Sequence, residues 1–358
     1  MKIAIIGTVG VPARYGGFET LVENLLTYKH NSDISYNIYC SKRHYDQKRR
    51  CYKGAKLYYL PFKANGIQSI VYDIVSIIHA LFTADKMLIL GVSGCSVLPL
   101  VRLFSKKQII TNIDGLEHKR EKWKKWARRF LKFSEKMAVR YSNIVIVDNK
   151  AIRDYVKSEY TQDVELIEYG GDHALIESES SMPIELNIAP KSYAISVCRI
   201  EPENNIHLIL DAFSKMPDKN LIMIGNWEKA NYGKNLKKEF EKFKNIYMIS
   251  SIYDIRKLNN FRENALYYIH GHSAGGTNPS LVEAMTLSLP VIAFDVSYNR
   301  ETTENKAFYF NNVESLCRLT QDLTDTELNQ NADNMKKISE ARYRWAIIIQ
   351  KYENLISA

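Results

Sequence analysis

The sequence predicts an α/β protein built from two similar domains, each a parallel sheet flanked by helices. Short β-type apolar runs alternate with segments of helical length through the first half of the chain, and the same alternation restarts near residue 193. At 358 residues the chain is longer than one ordinary hydrophobic core and suits two domains. Its apolar share of 46% and charged share of 25% are typical of a globular protein.

The predicted strands form two series, separated by a polar, turn-forming stretch. The strands of the first series are Lys2–Ile6, Tyr36–Cys40, Lys56–Leu60, Met87–Leu90, Gln108–Ile113, Ile144–Val147 and Val164–Ile167. The strands of the second series are Tyr193–Val197, Leu221–Ile224, Ile246–Ile249, Ala265–Ile269, Pro290–Phe294 and Ala307–Phe310. The segment 170–183 contains little to bury, so we expect a linker there, with domains over residues 1–174 and 175–335. A helix predicted over 336–358 is a candidate to pack back on the first domain.

The composition argues against several classes of protein. The five cysteines are scattered, with no CxxC pair and no Cys/His cluster, so we expect no metal site and a reduced, cytoplasmic compartment. No apolar run approaches the roughly 20 residues that span a bilayer. Glycines and a proline interrupt the apolar start of the chain, which we interpret as a strand rather than a signal peptide.

The segment 272–285 predicts an anion-binding turn. An apolar strand runs into a turn and then a helix. The candidate ligand-binding residues of the turn and the helix are Gly275, Gly276, Thr277, Asn278, Ser280 and Glu283. Such a turn directs free backbone N–H groups at an anion such as a phosphate. Because the Glu283 carboxylate would repel phosphate, we expect it to face ligand groups that donate hydrogen bonds, such as sugar hydroxyls.

A second glycine-rich loop links the first predicted strand to a helix that begins near Glu19. Gly16 and Gly17 let a ligand approach bare backbone, and Arg14 offers a charged fork for phosphate or carboxylate. A loop without a ligand is the alternative. The glycine spacing does not match GxGxxG, which makes a NAD-dependent oxidoreductase a poor interpretation.

Asp114 follows a buried-looking strand at its carboxyl end, where open parallel sheets bind their ligands. It is a candidate catalytic residue, and a cap on the turn at Gly115 is the alternative interpretation. Glu117 and His118 follow closely and fit either a site or the surface. His173 lies in the predicted linker and is interpreted as a linker residue, because lone histidines are seldom catalytic.

The segment 119–140 is strongly basic, with ten Lys or Arg against two Glu. Its large apolar residues recur at steps of three and four, which predicts one apolar helical face: Trp123, Trp126, Phe130, Phe133 and Met137. That face either packs on the core or contacts an anionic membrane surface or lipid-linked pyrophosphate. The membrane-facing candidates are Lys122, Trp123, Trp126, Arg129 and Phe130. Nucleic acid is a weaker alternative, because no recognition module accompanies the charge.

Six blocks of the chain together resemble bacterial rhamnosyltransferases of the family 4 glycosyltransferases. They are residues 9–20, 112–117, 169–172, 199–205, 275–280 and 298–303, and they span nearly the whole chain. The resemblance implies an α/β GT-B fold, in which two Rossmann-like domains face each other across a cleft. It implies that the first domain binds mainly the acceptor, that the second binds the nucleotide-sugar, and that transfer is retaining and needs neither metal nor cofactor.

The resemblance also implies residue roles. Arg199 matches the arginine that contacts the donor pyrophosphate, and Glu283 matches the glutamate that holds the nucleoside ribose. Asp114 lies near the acceptor or the transferred sugar. Two positions depart from the family pattern: Asn204 stands where a second pyrophosphate-binding lysine is expected, and Gly275 replaces a glutamate that touches the donor sugar. We expect Arg199 and backbone amides near Gly276 to neutralise more of the charge.

The implied function is transfer of L-rhamnose from dTDP-L-rhamnose to a lipid-linked saccharide during assembly of a cell-surface polysaccharide such as capsule, O-antigen or wall glycan. The implied location is cytoplasmic, peripheral on the anionic inner face of the plasma membrane. Two alternatives stay open. One is the same chemistry with a UDP- or GDP-hexose, and the other is a catalytically inactive sugar-nucleotide-binding or membrane scaffold protein.

Overall fold

A computed structural model describes residues 1–13, 16–119, 123–178 and 188–358. The chain divides into two compact units, the first comprising residues 1–168 and 345–358 and the second residues 169–344. The division thus falls before the expected boundary at 174, and the C-terminal segment of the first unit begins at 345 rather than 336.

The first unit contains an eight-stranded sheet in the order β3-β4-β2-β1-β5-β6-β7-β8, parallel except for the β3–β4 pair. Its strands are β1 Lys2–Ile6, β2 Ser35–Ser41, β3 Cys51–Tyr52, β4 Ala55–Leu60, β5 Lys86–Leu90, β6 Gln108–Asn112, β7 Ile144–Val147 and β8 Glu165–Leu166. The α-helices between them are α1 Gly17–Thr27, α2 Gln68–Thr83, α3 Leu98–Phe104, α4 Lys125–Tyr141 and α5 Lys150–Tyr160. The strand order reverses on either side of β1, which in such sheets marks the ligand-binding edge.

The second unit contains a six-stranded parallel sheet in the order β11-β10-β9-β12-β13-β14. Its strands are β9 Tyr193–Val197, β10 Asn220–Ile224, β11 Ile246–Ile249, β12 Tyr267–His270, β13 Val291–Phe294 and β14 Phe308–Phe310. Its α-helices are α6 Ile206–Ser214, α7 Asn231–Phe240, α8 Ile255–Glu263, α9 Pro279–Thr286, α10 Ser297–Thr302, α11 Val313–Asp322 and α12 Asp325–Arg342. Apolar clusters cover both faces of this sheet. The order reverses between β9 and β12, so the loops after these two strands should build the site.

The last helix, α13 Trp345–Ser357, belongs to the first unit. Asn112 at the end of β6 donates from Nδ2 to the Tyr352 hydroxyl at 2.7 Å, and Glu353 accepts from the backbone N–H of His30 at 3.0 Å. Trp345 is fully buried. Within the described ranges, no helix is both long and apolar enough to cross a membrane.

Candidate functional site

In the second unit, hydrogen bonds join the loop after β9 to the loop after β12. Asn204 donates from Nδ2 to the carbonyl of Arg199 at 2.7 Å, and its Oδ1 lies 2.7 Å from Nδ1 of His272. Ser273 donates its backbone N–H to the carbonyl of Glu203 at 2.8 Å. A Cβ on Gly271 would lie 2.1 Å from the Asn204 carbonyl oxygen, so the two loops touch only because position 271 is glycine.

These contacts give a structural role to Asn204, which occupies the position where a lysine was expected. The Asn204 side chain is buried and both ends of its amide are hydrogen-bonded, so it fixes the loops that carry Arg199 and His272. A buried amide paired in this way supports a loop and carries no charge toward a ligand.

Arg199 itself is partly exposed and has a cationic neighbour that the sequence analysis missed. Its Nε lies 4.0 Å from Oε2 of Glu201, and Nζ of Lys229 lies 3.6 Å from Oε1 of the same carboxylate. Lys229 follows β10, the strand beside β9, so its loop and the Arg199 loop lie at the same edge of the sheet. Proximity of the two cations could not be read from the sequence, because β10 and the whole of α6 separate them along the chain.

The glycine-rich turn leads into α9 with its first amides already capped. The Asn278 side chain accepts hydrogen bonds from the backbone N–H of Ser280 at 3.1 Å and from its hydroxyl at 2.9 Å. The Tyr268 hydroxyl donates to the Ser280 hydroxyl at 2.9 Å, and Thr277 is buried. Asn278 and Ser280 therefore shape the helix entrance, while the amides of Gly275 and Gly276 lie in the turn before it.

The backbone of Gly275 explains why this position departs from the family pattern. Its φ is 120°, a conformation that L side chains rarely adopt, and an added Cβ would lie 3.3 Å from Nε2 of His272. The turn is built for glycine. A Gly275→Glu substitution would thus change the backbone as well as add a carboxylate.

Glu283 is held between Arg262 and His173. Nη2 of Arg262 contacts Oε2 of Glu283, and Nε2 of His173 lies 3.2 Å from Oε1. Burial alone would raise the pKa of Glu283, but the charge of Arg262 and the hydrogen bond from His173 lower it to about 2. The carboxylate is ionised at neutral pH and keeps lone pairs for further donors.

Arg262 and His173 are site residues that the sequence analysis did not identify. Arg262 is fully buried on α8, and among the described residues its Nε and Nη1 have no hydrogen-bond partner. The interpretation of His173 as a linker residue is wrong, because the 3-10 helix Asp172–Ala174 packs on α9 and brings His173 to Glu283. No motif marks either residue, since their importance arises from contacts between elements distant in sequence.

In the first unit, the loop after β1 is fastened by Glu19. Its Oε1 accepts from the backbone N–H of Val9 at 2.7 Å and from the Thr8 hydroxyl at 3.0 Å. Burial raises the pKa of Glu19, although these two hydrogen bonds oppose the shift. Gly16 has φ of 132°, and a Cβ there would lie 1.9 Å from Oε2 of Glu19. Helix α1 begins at Gly17 without a side-chain cap. Arg14, the predicted charged fork, lies outside the described residues.

Asp114 follows β6 in a left-handed conformation with φ of 57°. Its backbone N–H donates to Oδ1 of Asn112 at 2.9 Å, so the Asn112 side chain helps to hold this turn. The charge of Asp114 contributes to the raised pKa of Glu19, which places the two carboxyl groups near each other at the ligand-binding edge of the first sheet.

His118 lies beside a buried carboxylate. Its Nδ1 is 2.8 Å from Oε2 of Glu135, whose Oε1 accepts from the hydroxyls of Tyr155 at 2.9 Å and Tyr160 at 2.7 Å. Burial would raise the pKa of Glu135, but the hydrogen bonds from His118 and Tyr160 lower it. This network ties α4 to α5 and orients the His118 ring.

Core packing, one of the two interpretations of the apolar face of α4, does not hold for most of that face. Seven residues of α4 are buried, three of them small: Ala127, Leu131, Ser134, Glu135, Met137, Ala138 and Val139. Of the expected apolar stripe, only Met137 is buried, whereas Trp126 and Phe133 are exposed. Arg129 is exposed, Trp123 and Phe130 are partly buried, and Lys122 lies outside the described residues. Small residues allow α4 to pack closely on the 3-10 helix Cys95–Val97.

No metal-binding cluster is found in the parts of the chain that the structure describes. There, no group of three or more His, Cys, Asp or Glu side chains could hold an ion.

Each unit matches a different family model. Residues 1–172 match a domain of unknown function, DUF1972, and residues 178–343 match glycosyl transferases group 1. No curated protein is similar to the chain.

Solved structures share the fold over the whole chain. Sucrose-phosphate synthase from Thermosynechococcus elongatus has a TM-score of 0.84 at 16% identity, over 99% of this chain and 98% of that one. HepE of Anabaena in complex with UDP-glucose has a TM-score of 0.74 at 15% identity, over 100% of both chains. The trehalose-6-phosphate synthase OtsA has a TM-score of 0.73 at 9% identity, over 99% of this chain and 98% of that one.

The two sheets and these likenesses define the fold: the chain has the GT-B fold, with one Rossmann-like sheet in each unit. Within this fold, residues 178–343 are the part that matches the glycosyl transferases group 1 model.

Proposed function

We propose that this glycosyltransferase moves L-rhamnose from dTDP-L-rhamnose to a lipid-linked saccharide, with retention and without a metal ion, during cell-surface polysaccharide assembly. The second unit binds the nucleotide-sugar and the first unit binds the acceptor. The observation that carries the donor assignment is Glu283, an ionised carboxylate beside a glycine-rich turn. The 3′-hydroxyl of the nucleoside, which the deoxyribose of dTDP retains, donates to such a carboxylate, and the turn suits the adjacent phosphates.

In this mechanism, Arg199 and the amides of Gly275 and Gly276 stabilise the departing nucleoside diphosphate. The acceptor hydroxyl attacks from the face that the leaving group vacates, so the carbon–oxygen bond to the diphosphate breaks as the new glycosidic bond forms. Stabilisation of the developing phosphate charge is the larger contribution to catalysis. Arg199→Ala should therefore lower kcat strongly at saturating donor, and near-full turnover would contradict the role.

The acceptor site is proposed at the carboxyl edge of the first sheet. Asp114 lies there next to the loop fastened by Glu19, and the glycines at positions 16 and 17 leave bare backbone beside it. Arg14 completes the proposed acceptor loop.

We propose a cytoplasmic location, peripheral on the inner face of the plasma membrane, because a lipid-linked acceptor is available only there. The exposed basic residues of α4 support this proposal, since they favour an anionic surface.

The test is incubation with a panel of dTDP-, UDP- and GDP-sugars and a short lipid-pyrophosphate saccharide, followed by product mass and anomeric analysis. Rhamnosyl product of retained configuration from dTDP-L-rhamnose alone is expected, and an inverted product would contradict the mechanism. Glu283→Gln should raise the donor KM with a smaller effect on kcat.

A UDP-hexose is the second candidate donor, favoured by the shared fold with HepE, which is solved with UDP-glucose. Transfer from a UDP-sugar in the same panel would identify it. Donor binding without transfer or hydrolysis would instead favour an inactive binding protein, an alternative raised by Asn204 and Gly275.

A further inference from the structure

The first unit carries a second basic region, which the sequence analysis did not identify. Residues 42–50 follow β2 and residues 61–67 follow β4, and we call these two segments the basic loops. Against the single carboxylate of Asp46, they present six exposed cationic side chains: Lys42, Arg43, Lys48, Arg49, Arg50 and Lys63. Because β1, β2 and β4 are parallel, the basic loops leave the sheet at the same edge as the loop after β1. The proposed acceptor site thus has cationic neighbours.

Hydrogen bonds hold the first basic loop against the loop after β1. The backbone N–H of Ser41, at the end of β2, donates to the carbonyl of Val9 at 2.9 Å. The hydroxyl of the buried Tyr45 donates to the carbonyl of Pro12 at 3.1 Å. The cationic segment 42–50 is therefore fixed beside the backbone that leads to the proposed acceptor residues.

The two basic loops are also joined to each other. The Ser41 hydroxyl donates to the carbonyl of Phe62 at 2.7 Å, and Nε of Arg43 donates to the carbonyl of Pro61 at 3.2 Å. The residues that follow Ser41 and Phe62 along the chain are both lysines. These bonds therefore bring cationic residues of both loops to one place at the edge of the sheet.

The protein supplies little negative charge to balance these cations. Within the described ranges, none of the six forms an ion pair with a carboxylate. Of the two carboxylates on α1, Glu23 pairs with Lys53 at 2.7 Å, and the buried Glu19 accepts hydrogen bonds from the loop after β1. The carboxylates that follow other strands at this edge come after β6, β7 and β8, on the far side of β1. Like charges gathered in this way repel one another and attract an anionic ligand.

We propose that the basic loops bind an anionic group of the acceptor, a phosphate or a carboxylate, close to the hydroxyl that attacks the donor. Lys and Arg side chains form charge-assisted hydrogen bonds with both kinds of group. The inference deepens the proposed function and rests on its placement of the acceptor at this edge of the first sheet. The anionic group belongs either to the pyrophosphate of the lipid carrier or to an acidic sugar of the saccharide.

The decisive experiment compares three water-soluble acceptors with the donor that the nucleotide-sugar panel selects. They are one saccharide on a neutral alkyl group, the same saccharide on an alkyl phosphate, and a form in which a uronic acid replaces one neutral sugar. At saturating donor, kcat/KM should be more than about tenfold higher for a charged acceptor than for the neutral one. The charged acceptor that shows the preference identifies the source of the anionic group.

Salt and substitutions test whether charge on the basic loops causes the preference. It should weaken from about 0.01 M to about 0.15 M salt, as the Debye length falls from about 30 Å to about 8 Å. The variant Lys42→Gln/Lys48→Gln/Lys63→Gln should reduce the ratio of kcat/KM between charged and neutral acceptors to about one. A matched control removes three exposed lysines of the second unit, in and after α7, and should keep the natural ratio: Lys238→Gln/Lys242→Gln/Lys244→Gln.

Three outcomes separate this inference from the proposed function. Equal kcat/KM for charged and neutral acceptors would overturn the inference and leave the transferase activity standing. Vesicle binding that the basic-loop variant abolishes, without any change in its preference among soluble acceptors, would also overturn it, because the loops would then bind a membrane. Absence of transfer from every donor, with calorimetric binding of the alkyl-phosphate saccharide that the basic-loop variant loses, would refute the proposed activity and support the anionic subsite.

Discussion

Burial and neighbouring charge shift the pKa of the Glu283 carboxyl group in opposite directions. Burial favours the protonated acid, and the Arg262 guanidinium with His173 favours the carboxylate strongly enough to hold its pKa near 2. Since a depressed pKa stabilises the folded state above the unfolded value of 4.5, this contribution is present at neutral pH and is lost as pH falls from about 4.5 toward 2.

Arg262→Met should make donor binding depend on pH. With its principal counter-charge removed and its burial retained, the pKa of Glu283 rises, so the donor KM should increase as pH falls from about 7 to 5. The natural sequence should show a flat profile over that range. Stability should fall by about 3–5 kcal/mol, the usual cost of breaking a buried ion pair, and urea unfolding measures it.

Three comparisons test the interpretation that Arg262 acts through Glu283. Arg262→Lys should restore part of the flat pH profile. Arg300→Met, which removes a more exposed arginine paired with Asp295, should leave the profile flat. In a Glu283→Gln background, Arg262→Met should add little to the donor KM, and full additivity would show that the two residues act separately.

Lys229 should carry part of the charge that the missing lysine carries elsewhere. Lys229→Ala is expected to lower kcat/KM for the donor about tenfold, the scale of one charge-assisted contact. Substitution of the exposed Lys215, just after α6, by Ala should have no effect. Asn204→Lys should not restore a contact. It breaks two buried hydrogen bonds and buries an ammonium group, so we expect a loss of stability of about 1–3 kcal/mol, measured by thermal unfolding. Increased activity in Asn204→Lys would contradict this assignment.

At the scale of elements, hydrophobic periodicity predicted the long strands of both sheets, because buried parallel strands are continuous apolar runs. It missed β3, a two-residue strand too short to form a pattern. It left open whether the aromatic face of α4 packs on the core, and the exposure of Trp126 and Phe133 shows that these two side chains do not. A pattern weighted toward large aromatics overlooks Ala127, Ser134 and Ala138, whose small size allows close packing. Lys229, Arg262 and His173 were invisible for another reason: only the fold brings them to Arg199 and Glu283.

The loop after β1 offers a test of how an element end is held. Glu19→Gln keeps the acceptor for the Val9 N–H and removes a charge that burial disfavours. Because a raised carboxyl pKa stabilises the fold below 4.5 and loses that contribution as pH rises, Glu19→Gln should be as stable as the natural sequence or more stable at pH 7.5. The difference in free energy of unfolding between Glu19→Gln and the natural sequence, measured by urea unfolding, should disappear near pH 4.

Glu19→Ala is the matched comparison. It leaves the Val9 N–H and the Thr8 hydroxyl without this acceptor, so it should destabilise by about 1–3 kcal/mol at both pH values. Equal destabilisation by Gln and Ala at pH 7.5 would show that the charge of Glu19, rather than its oxygen, holds the loop.

At the scale of the whole molecule, the chain returns to its first unit through α13. The first unit is therefore stabilised by a helix from the C-terminal end of the chain, whereas the second unit is one continuous segment. Ile349 is fully buried in α13, and Ile349→Ala should cost about 2–5 kcal/mol. Hydrogen exchange read by mass spectrometry should then increase in α13 and in α1, which packs on it, with little change in the second unit. In a separate measurement on the natural sequence, donor nucleotide should slow hydrogen exchange in the loops around Arg199 and Gly275. Protection by nucleotide mainly in the first unit would place the donor there and overturn the division of roles between the units.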